Sequence, residues 1–295
     1  MGYPVYDRAS GRITETGQYR SRSLHFLYET IAGRILLKGF FSLPLYSKMH
    51  ARSLNAKRSV KKIPAFIAQY NIRIQDYEAR EYTSFNDFFT RKARPEARPA
   101  DMSGDALIAV ADAKLTVYTI DDALAIPVKN AVYTVGELTG CSNSSSAYGG
   151  GYCLVFRLTV DDCHRYLFPD DGTVIETTHI PGRLHTVSPL SEKRHRVFVE
   201  NQREVSRMAL LHLGDAVQIE VGAIQVGKIH NHAIPSFHKG EEKGFFSFGG
   251  STVILLLEKN RVRMDADILT SSENGVETQI RMGERIGDIV KCLNV

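Results

Sequence analysis

Phe245-Phe246-Ser247-Phe248-Gly249-Gly250-Ser251-Thr252 runs directly into Val253-Ile254-Leu255-Leu256-Leu257-Glu258-Lys259. Five consecutive apolar residues after a glycine turn signal predict a strand, Thr252–Glu258, buried on both faces. Gly249 and Gly250 free the backbone just ahead of it and let other groups approach closely. Most such triplets are simple turns. A serine hydroxyl held against the Gly250 carbonyl has a second option, which is attack on its own backbone.

Short apolar or alternating runs recur upstream of this stretch: Leu107–Val110, Leu115–Ile120, Leu154–Leu158, Val174–Thr177, Arg196–Val199, Ala216–Val221 and Ile224–Ile229. Many short strands with few helices between them predict a barrel- or sandwich-like β domain. The first hundred residues have a different texture. Leu24, Tyr28, Ile31 and Ile35 fall at helical spacing, and Phe40, Phe41, Leu43 and Leu45 continue the stripe around a break at Pro44. Ala65–Tyr82 reads as helix. Ser84-Phe85-Asn86-Asp87 then has capping-box spacing ahead of Phe88-Phe89. The expected class is α+β, with an N-terminal amphipathic helical region (1–100) followed by a β-rich domain (101–295).

Of 295 residues, 43% are hydrophobic and 24% charged, which is ordinary for a folded chain, and a net charge of +4 makes no case for nucleic acid. The distribution of charge says more. Between Arg22 and Lys62 nine Lys or Arg face a single acid, Glu29. A basic, Phe-rich amphipathic stretch too short to span suits a helix lying in a membrane interface. It equally suits a helical hairpin packed on its own core with a solvated basic face. Tyr3 to Tyr19 is polar, unlike a secretory signal, and no apolar run reaches spanning length. Cys141, Cys153, Cys163 and Cys292 show no metal or redox spacing and read as free thiols of a reducing compartment.

No nucleophile elbow, Walker A loop or dinucleotide fingerprint occurs. His230, His232, His238 and Glu241 carry metal-type side chains, but histidines two apart are common on strands, and no metal is expected. His164, in Asp161-Asp162-Cys163-His164-Arg165-Tyr166, follows a candidate strand. It reads either as a general base or as a surface histidine in an acidic loop. Asp112 is a lone acid after an apolar run. Val221-Gly222-Ala223…Val226-Gly227 reads as two strands meeting around small residues, and Ser142–Gly151 as a flexible loop.

Taken in order, Ser84-Phe85-Asn86-Asp87-Phe88-Phe89-Thr90-Arg91, Asp162-Cys163-His164-Arg165-Tyr166, Val221-Gly222-Ala223…Val226-Gly227 and Lys239-Gly240-Glu241-Glu242-Lys243-Gly244-Phe245-Phe246-Ser247-Phe248-Gly249-Gly250-Ser251-Thr252 resemble the phosphatidylserine decarboxylase family. The resemblance implies a proenzyme that cuts itself between Gly250 and Ser251. Ser251 becomes a covalent pyruvoyl cofactor, which forms a Schiff base with the substrate amine and acts as electron sink for decarboxylation. It implies Asp112, His164 and Ser251 as acid, base and nucleophile. It also implies a peripheral enzyme on the cytoplasmic face of the membrane. The implied partners are the phospholipid surface, phosphatidylserine, the cleaved α chain 251–295 and further copies in a homo-oligomer, with no nucleic acid.

Two positions depart from the family pattern. Many members carry a second histidine where Leu167 stands, and His185 would be the stand-in if that position held the base. Ala113 replaces a frequent glycine after the aspartate. Arg165 and Lys228 are candidate headgroup contacts, each also readable as a solvated surface charge. The alternative readings are a pyruvoyl-dependent decarboxylase of a soluble amino acid, and a lipid-binding protein that never matures.

Overall fold

The structure, a computed structural model, describes residues 2–17, 26, 28, 30–36, 44–128, 131–141, 146–187, 195–223, 228–249 and 251–290. Gly250, Leu24, Phe40, Phe41, Leu43, the serines at 142 and 144–145, the 224–227 segment and Cys292 lie outside the described residues.

In chain order the strands are β1 (Gly2–Asp7), β2 (Arg12–Gly17), β3 (Ala106–Ile108), β4 (Ala113–Thr119), β5 (Ala125–Val128), β6 (Ala131–Thr134), β7 (Tyr152–Leu158), β8 (Arg165–Leu167) and β9 (Gly172–Ile180). They continue with β10 (Arg203–Leu210), β11 (Gly214–Gly222), β12 (Ile229–Asn231), β13 (Ser236–Phe237), β14 (Glu242–Phe246), β15 (Ser251–Leu257), β16 (Val262–Met264), β17 (Glu277–Ile280) and β18 (Arg285–Ile289). Ten of them form one sheet in the order β13-β9-β10-β11-β15-β7-β4-β17-β1-β2. The class is α+β. The sheet is open, however, so the barrel expectation fails: its edge strands β13 and β2 do not pair with each other.

The glycine-led apolar run is β15, in the interior of that sheet between β11 and β7, and all seven of its residues are buried. Alternation sends its side chains to opposite faces. Val253, Leu255 and Leu257 enter one core with Phe156, Met208 and Ile286, while Ile254 and Leu256 enter a second with Val155, Ile219 and Phe198. A strand with a core on each face needs no polar side chain until its ends. Register places Ser251 opposite Gly222 on β11 and Leu158 on β7.

The N-terminus contributes strands as well as helices. The β1–β2 hairpin adds to the sheet edge, with β1 parallel to β17. Arg8 in the hairpin turn pairs with Asp265, Asp267 and Glu284 at 2.6, 2.8 and 2.9 Å. Helices follow at Ile31–Leu36, Pro44–Asn55 and Ile63–Tyr70, with a 3-10 turn at Lys57–Lys62 between the last two. The helix expected over Ala65–Tyr82 stops at Tyr70, because Asn71 takes a left-handed conformation (φ 50°) that caps it. Arg196–Val199, expected as strand, is instead a single helical turn, Val197–Glu200, that buries Val197 and Phe198. The Glu200 carboxylate accepts the Arg196 N–H at its start.

Candidate active site

Three of the quoted motifs meet around Phe248. Ser84 caps the helix Phe85–Phe89 by accepting the Asp87 N–H, as its spacing predicts, while the Asp87 carboxylate reaches back to Thr83 rather than Ser84. One turn of helix then points Phe85, Phe88 and Phe89 inward. Phe248 packs edge-on against Phe85 and Phe89, with ring centroids 5.3 and 4.8 Å away, and its N–H donates to Asn86 Oδ1 at 2.9 Å. The backbone therefore arrives at Gly249 already fixed by a side chain more than 160 residues upstream. Gly249 itself sits at φ 146°, which a side chain would disfavour.

His164 is fully buried, so the surface-loop reading of its acidic sequence fails. Its ring lies 4.1 Å from that of Phe89, and its carbonyl accepts the Phe246 N–H. Nδ1 lies 3.1 Å from the Asp162 carbonyl, which can only accept, so Nδ1 carries the proton and Nε2 the lone pair. Burial pushes the imidazole down to about 3, helped by the Arg91 guanidinium, against the Asp162 and Gly249 carbonyls and the Asp161 charge. The ring is thus neutral at physiological pH. Among the described residues, neither His164 Nε2 nor the buried Ser251 Oγ has a hydrogen-bond partner, and Thr252 Oγ1 is likewise unpaired. Orphaned buried polar atoms are rare, and this motif holds several.

Asp112 does not hold the histidine ring. Its carboxylate is clamped by Arg98 (Nε at 2.8 and 3.0 Å, Nη2 at 2.8 Å) and accepts the N–H groups of Met282 and, at 3.4 Å, Cys163. It reaches His164 only through the backbone of the residue before it. Cys163 is no rival nucleophile, since burial and the Asp112 charge push its thiol up to about 11. Asp162, bound to Lys114 Nζ at 2.9 Å, is pushed up to about 6 by burial, with Lys114 opposing. A cavity of about 200 Å³ borders Asp112, Arg98, Asp161 and Asp162. In a chain kept uncut, Arg98→Met strands the Asp112 carboxylate, and breaking such a buried pair costs about 3–5 kcal/mol. The urea midpoint should fall accordingly and recover in part when Asp112→Asn is added.

The remaining candidates are dispersed. His185 is buried beside His195 and Glu200. His230 meets Ser247 Oγ at 3.0 Å, His232 meets Glu242, and His238 meets Asp171, so the histidines of that stretch do not share a site. Arg165 is committed to Glu242 and the Thr90 carbonyl, whereas Lys228 is exposed. Cys153 and Cys163 are buried free thiols.

A sequence model described as phosphatidylserine decarboxylase matches residues 85–288. The chain is 50% identical over 288 residues to phosphatidylserine decarboxylase proenzyme 2 of Clostridium acetobutylicum, covering 98% of this chain and 99% of that protein. The chain belongs to the phosphatidylserine decarboxylase family. Phosphatidylserine decarboxylase proenzymes of Clostridium botulinum (36% identity; 96% of this chain and 98% of that one) and Clostridium novyi (38%; 90% and 92%) are also similar. Members of the phosphatidylserine decarboxylase family are carboxy-lyases, and this chain is one of them.

Set against that family, the structure adds residues that motif reading passed over. Asn86 lies inside a quoted motif, but its role shows only once Phe248 is seen on it. Arg91 is fully buried, stacks on Tyr77 and Phe88, and donates to the Asp161 and Asp162 carbonyls. It therefore shares the Asp162 carbonyl with His164. Arg98 carried one signal, a cation in a proline-bounded loop fourteen residues before a lone acid.

Proposed function

We propose that this chain cuts its own backbone between Gly250 and Ser251, into a β chain of 1–250 and an α chain of 251–295. The matured enzyme then decarboxylates phosphatidylserine to phosphatidylethanolamine and CO2 at a membrane surface. The observation that carries the reading is the Ser251 hydroxyl, fully buried and unpartnered at the head of the central strand. In the first step Oγ bonds to the Gly250 carbonyl carbon as the Gly250–Ser251 C–N bond breaks. The Oγ proton goes to a base and the released nitrogen takes one up. Neutral His164, with Nδ1 tied and Nε2 free, is assigned as that base. Loss of a proton from Cα and cleavage of the Cβ–Oγ bond then leave Gly250 as a carboxylate and residue 251 as an enamine. The enamine tautomerises to an imine, which is hydrolysed by water to the pyruvoyl ketone with loss of ammonia.

The unpaired Ser251 and Thr252 hydroxyls fit a position whose chemistry is completed only after the cut. A pyruvoyl group at residue 251 supplies an electron-poor carbonyl that takes up the electron pair left by departing CO2. The chain's own part is to hold that terminus still. β15 pairs with β11 and β7, β17 with β4 and β1, and β18 with β3, so the α chain stays tied to the β chain through several strands after cleavage.

A lipid substrate is supported by the N-terminal region. Arg52, Lys57, Arg58, Lys61 and Lys62 are exposed, as are Phe26, Leu36 and Met49. Leu54, Ile63 and Phe66 of the same region are buried with Phe85 and Phe88, so the apolar side packs inward where the cations face out. No helix among the described residues is long and apolar enough to cross a membrane. Each cation near an anionic surface contributes about 1 kcal/mol. Reversing Lys57, Arg58, Lys61 and Lys62 to Glu should abolish co-sedimentation with anionic vesicles and lower turnover of vesicle-borne phosphatidylserine. Turnover of free serine at the same efficiency would favour the soluble-substrate alternative.

The ring assigned as base can be observed directly. In a Ser251→Ala chain with 13C-labelled histidine, the His164 resonance, assigned by its loss in His164→Gln, should not titrate between pH 8 and 5. A midpoint near 6.5 would remove the buried neutral base. The depressed value also fixes the sign of linkage. The stability contributed by His164 is fully present above pH 6.5 and is lost as pH falls towards 3. Asp162, raised to about 6, runs the other way and loses its contribution as pH rises through 6.

A further inference from the structure

His185, His195 and Glu200 take no part in the contacts described around Phe248 and His164. We propose that these three side chains form a binding site for a divalent transition-metal ion of the zinc class. His185 is 2% exposed, and neither ring nitrogen makes a hydrogen bond among the described residues. A buried imidazole with both nitrogens unsatisfied needs a partner. Its Nε2 lies 3.5 Å from Glu200 Oε2, and the same carboxylate oxygen lies 3.3 Å from His195 Nδ1. One ligand atom from each residue falls within 4.8 Å of the others.

Those separations suit an ion. Tetrahedral ligands about 2.0–2.2 Å from zinc stand roughly 3.3–3.6 Å apart along each edge. The two carboxylate–imidazole distances match such edges; the two imidazoles are stacked with centroids 4.0 Å apart, so the half-exposed His195 ring must turn out of the stack to aim a nitrogen at the same ion. Two imidazoles and one carboxylate are also the donor set that suits zinc, cobalt or nickel better than magnesium or calcium, and three protein ligands leave one position open. An ion pair between His195 and Glu200 alone would explain the 3.3 Å contact but would leave His185 with no more than the 3.5 Å approach of its Nε2 to the same oxygen.

The surroundings hold the donors in place, as outer partners do in metal sites. Glu200 Oε1 accepts the Arg196 N–H at 3.0 Å, which fixes the carboxylate. Asn201 clamps the backbone of His185 from both sides, accepting its N–H at 2.9 Å and donating to its carbonyl at 2.8 Å. Tyr28 stands edge-on to both imidazoles, with centroids 6.5 and 6.0 Å away. Asn201 also donates to the Gly222 carbonyl at 2.7 Å, and Gly222 is the register partner of Ser251. An ion here would brace, through Asn201, the end of β11 that faces Ser251.

The test uses the full-length, tag-free protein, stripped with a chelator and titrated with Zn2+ or Co2+. One ion should bind per chain, and Co2+ should show the visible absorption of a tetrahedral N/O site. His195→Ala and Glu200→Gln should each weaken binding at least tenfold with unchanged circular dichroism. The glutamine keeps an oxygen to accept the Arg196 N–H, so its loss of binding reports the ligand and not the helix turn. Absence of stoichiometric binding in the unaltered protein, or affinity in both variants equal to that of the unaltered protein, would overturn the site.

Discussion

Ser251→Ala should leave a single uncut chain of 33.0 kDa under all conditions and should have no decarboxylase activity. The change removes one buried oxygen that has no hydrogen-bond partner, so it breaks no contact on which the fold depends. Loss of cleavage without loss of the folded state would then report the nucleophile itself. Ser247, four residues before Ser251, is the internal control, because its hydroxyl is held by His230 at 3.0 Å. Cleavage that persists in Ser251→Ala and stops in Ser247→Ala would move the cut site and refute the assignment.

The second large effect concerns His164. His164→Ala and His164→Gln should slow self-cleavage about 10²–10⁴-fold, the usual contribution of a positioned base. Alanine also opens a cavity against Phe89, so glutamine is the more informative variant. It keeps most of the volume and can still donate to the Asp162 carbonyl, but it cannot take a proton. Time courses of the uncut chain after synthesis, set beside urea midpoints, separate the two causes. A glutamine variant that folds normally and cleaves at the unaltered rate would assign the base elsewhere. His185 is a weaker substitute, being held among His195, Glu200 and Tyr28.

Much of this was legible in the residues because local rules carried it. Val253–Leu257 is apolar at every position, which fits a strand with a core on each side, and β15 is that strand. Ser84 is a cap by spacing alone, and it caps. Several of the misreadings come from contacts made across long sequence separation. His164 stands among acids and looks solvated, yet the Phe89 ring packs on it from 75 positions before and the Phe246 N–H binds its carbonyl from 82 positions after. The β1–β2 hairpin shows no apolar run because its place in the sheet comes from β17, where Val5 aligns with Glu277. Arg98 and Asp112 pair across a proline-bounded loop, and ion pairs leave no period to read. Arg196–Val199 has β-branched residues suited to a strand, but the Glu200 carboxylate and the burial of Val197 and Phe198 make it a helical turn.

The place of residues 251–295 in the fold would let the proposed cut leave the enzyme whole. The first strand of that stretch is interior to the sheet, and another of its strands separates β4 from β1. Removing it would expose both cores, so cleavage need not release it. The most direct test of self-maturation is the intact mass of the purified protein under denaturing conditions. Two chains are predicted, residues 1–250 and 251–295, with the smaller resistant to amine-directed sequencing because its first residue no longer carries an amine. A single uncut 295-residue chain that nonetheless decarboxylates phosphatidylserine would contradict the account.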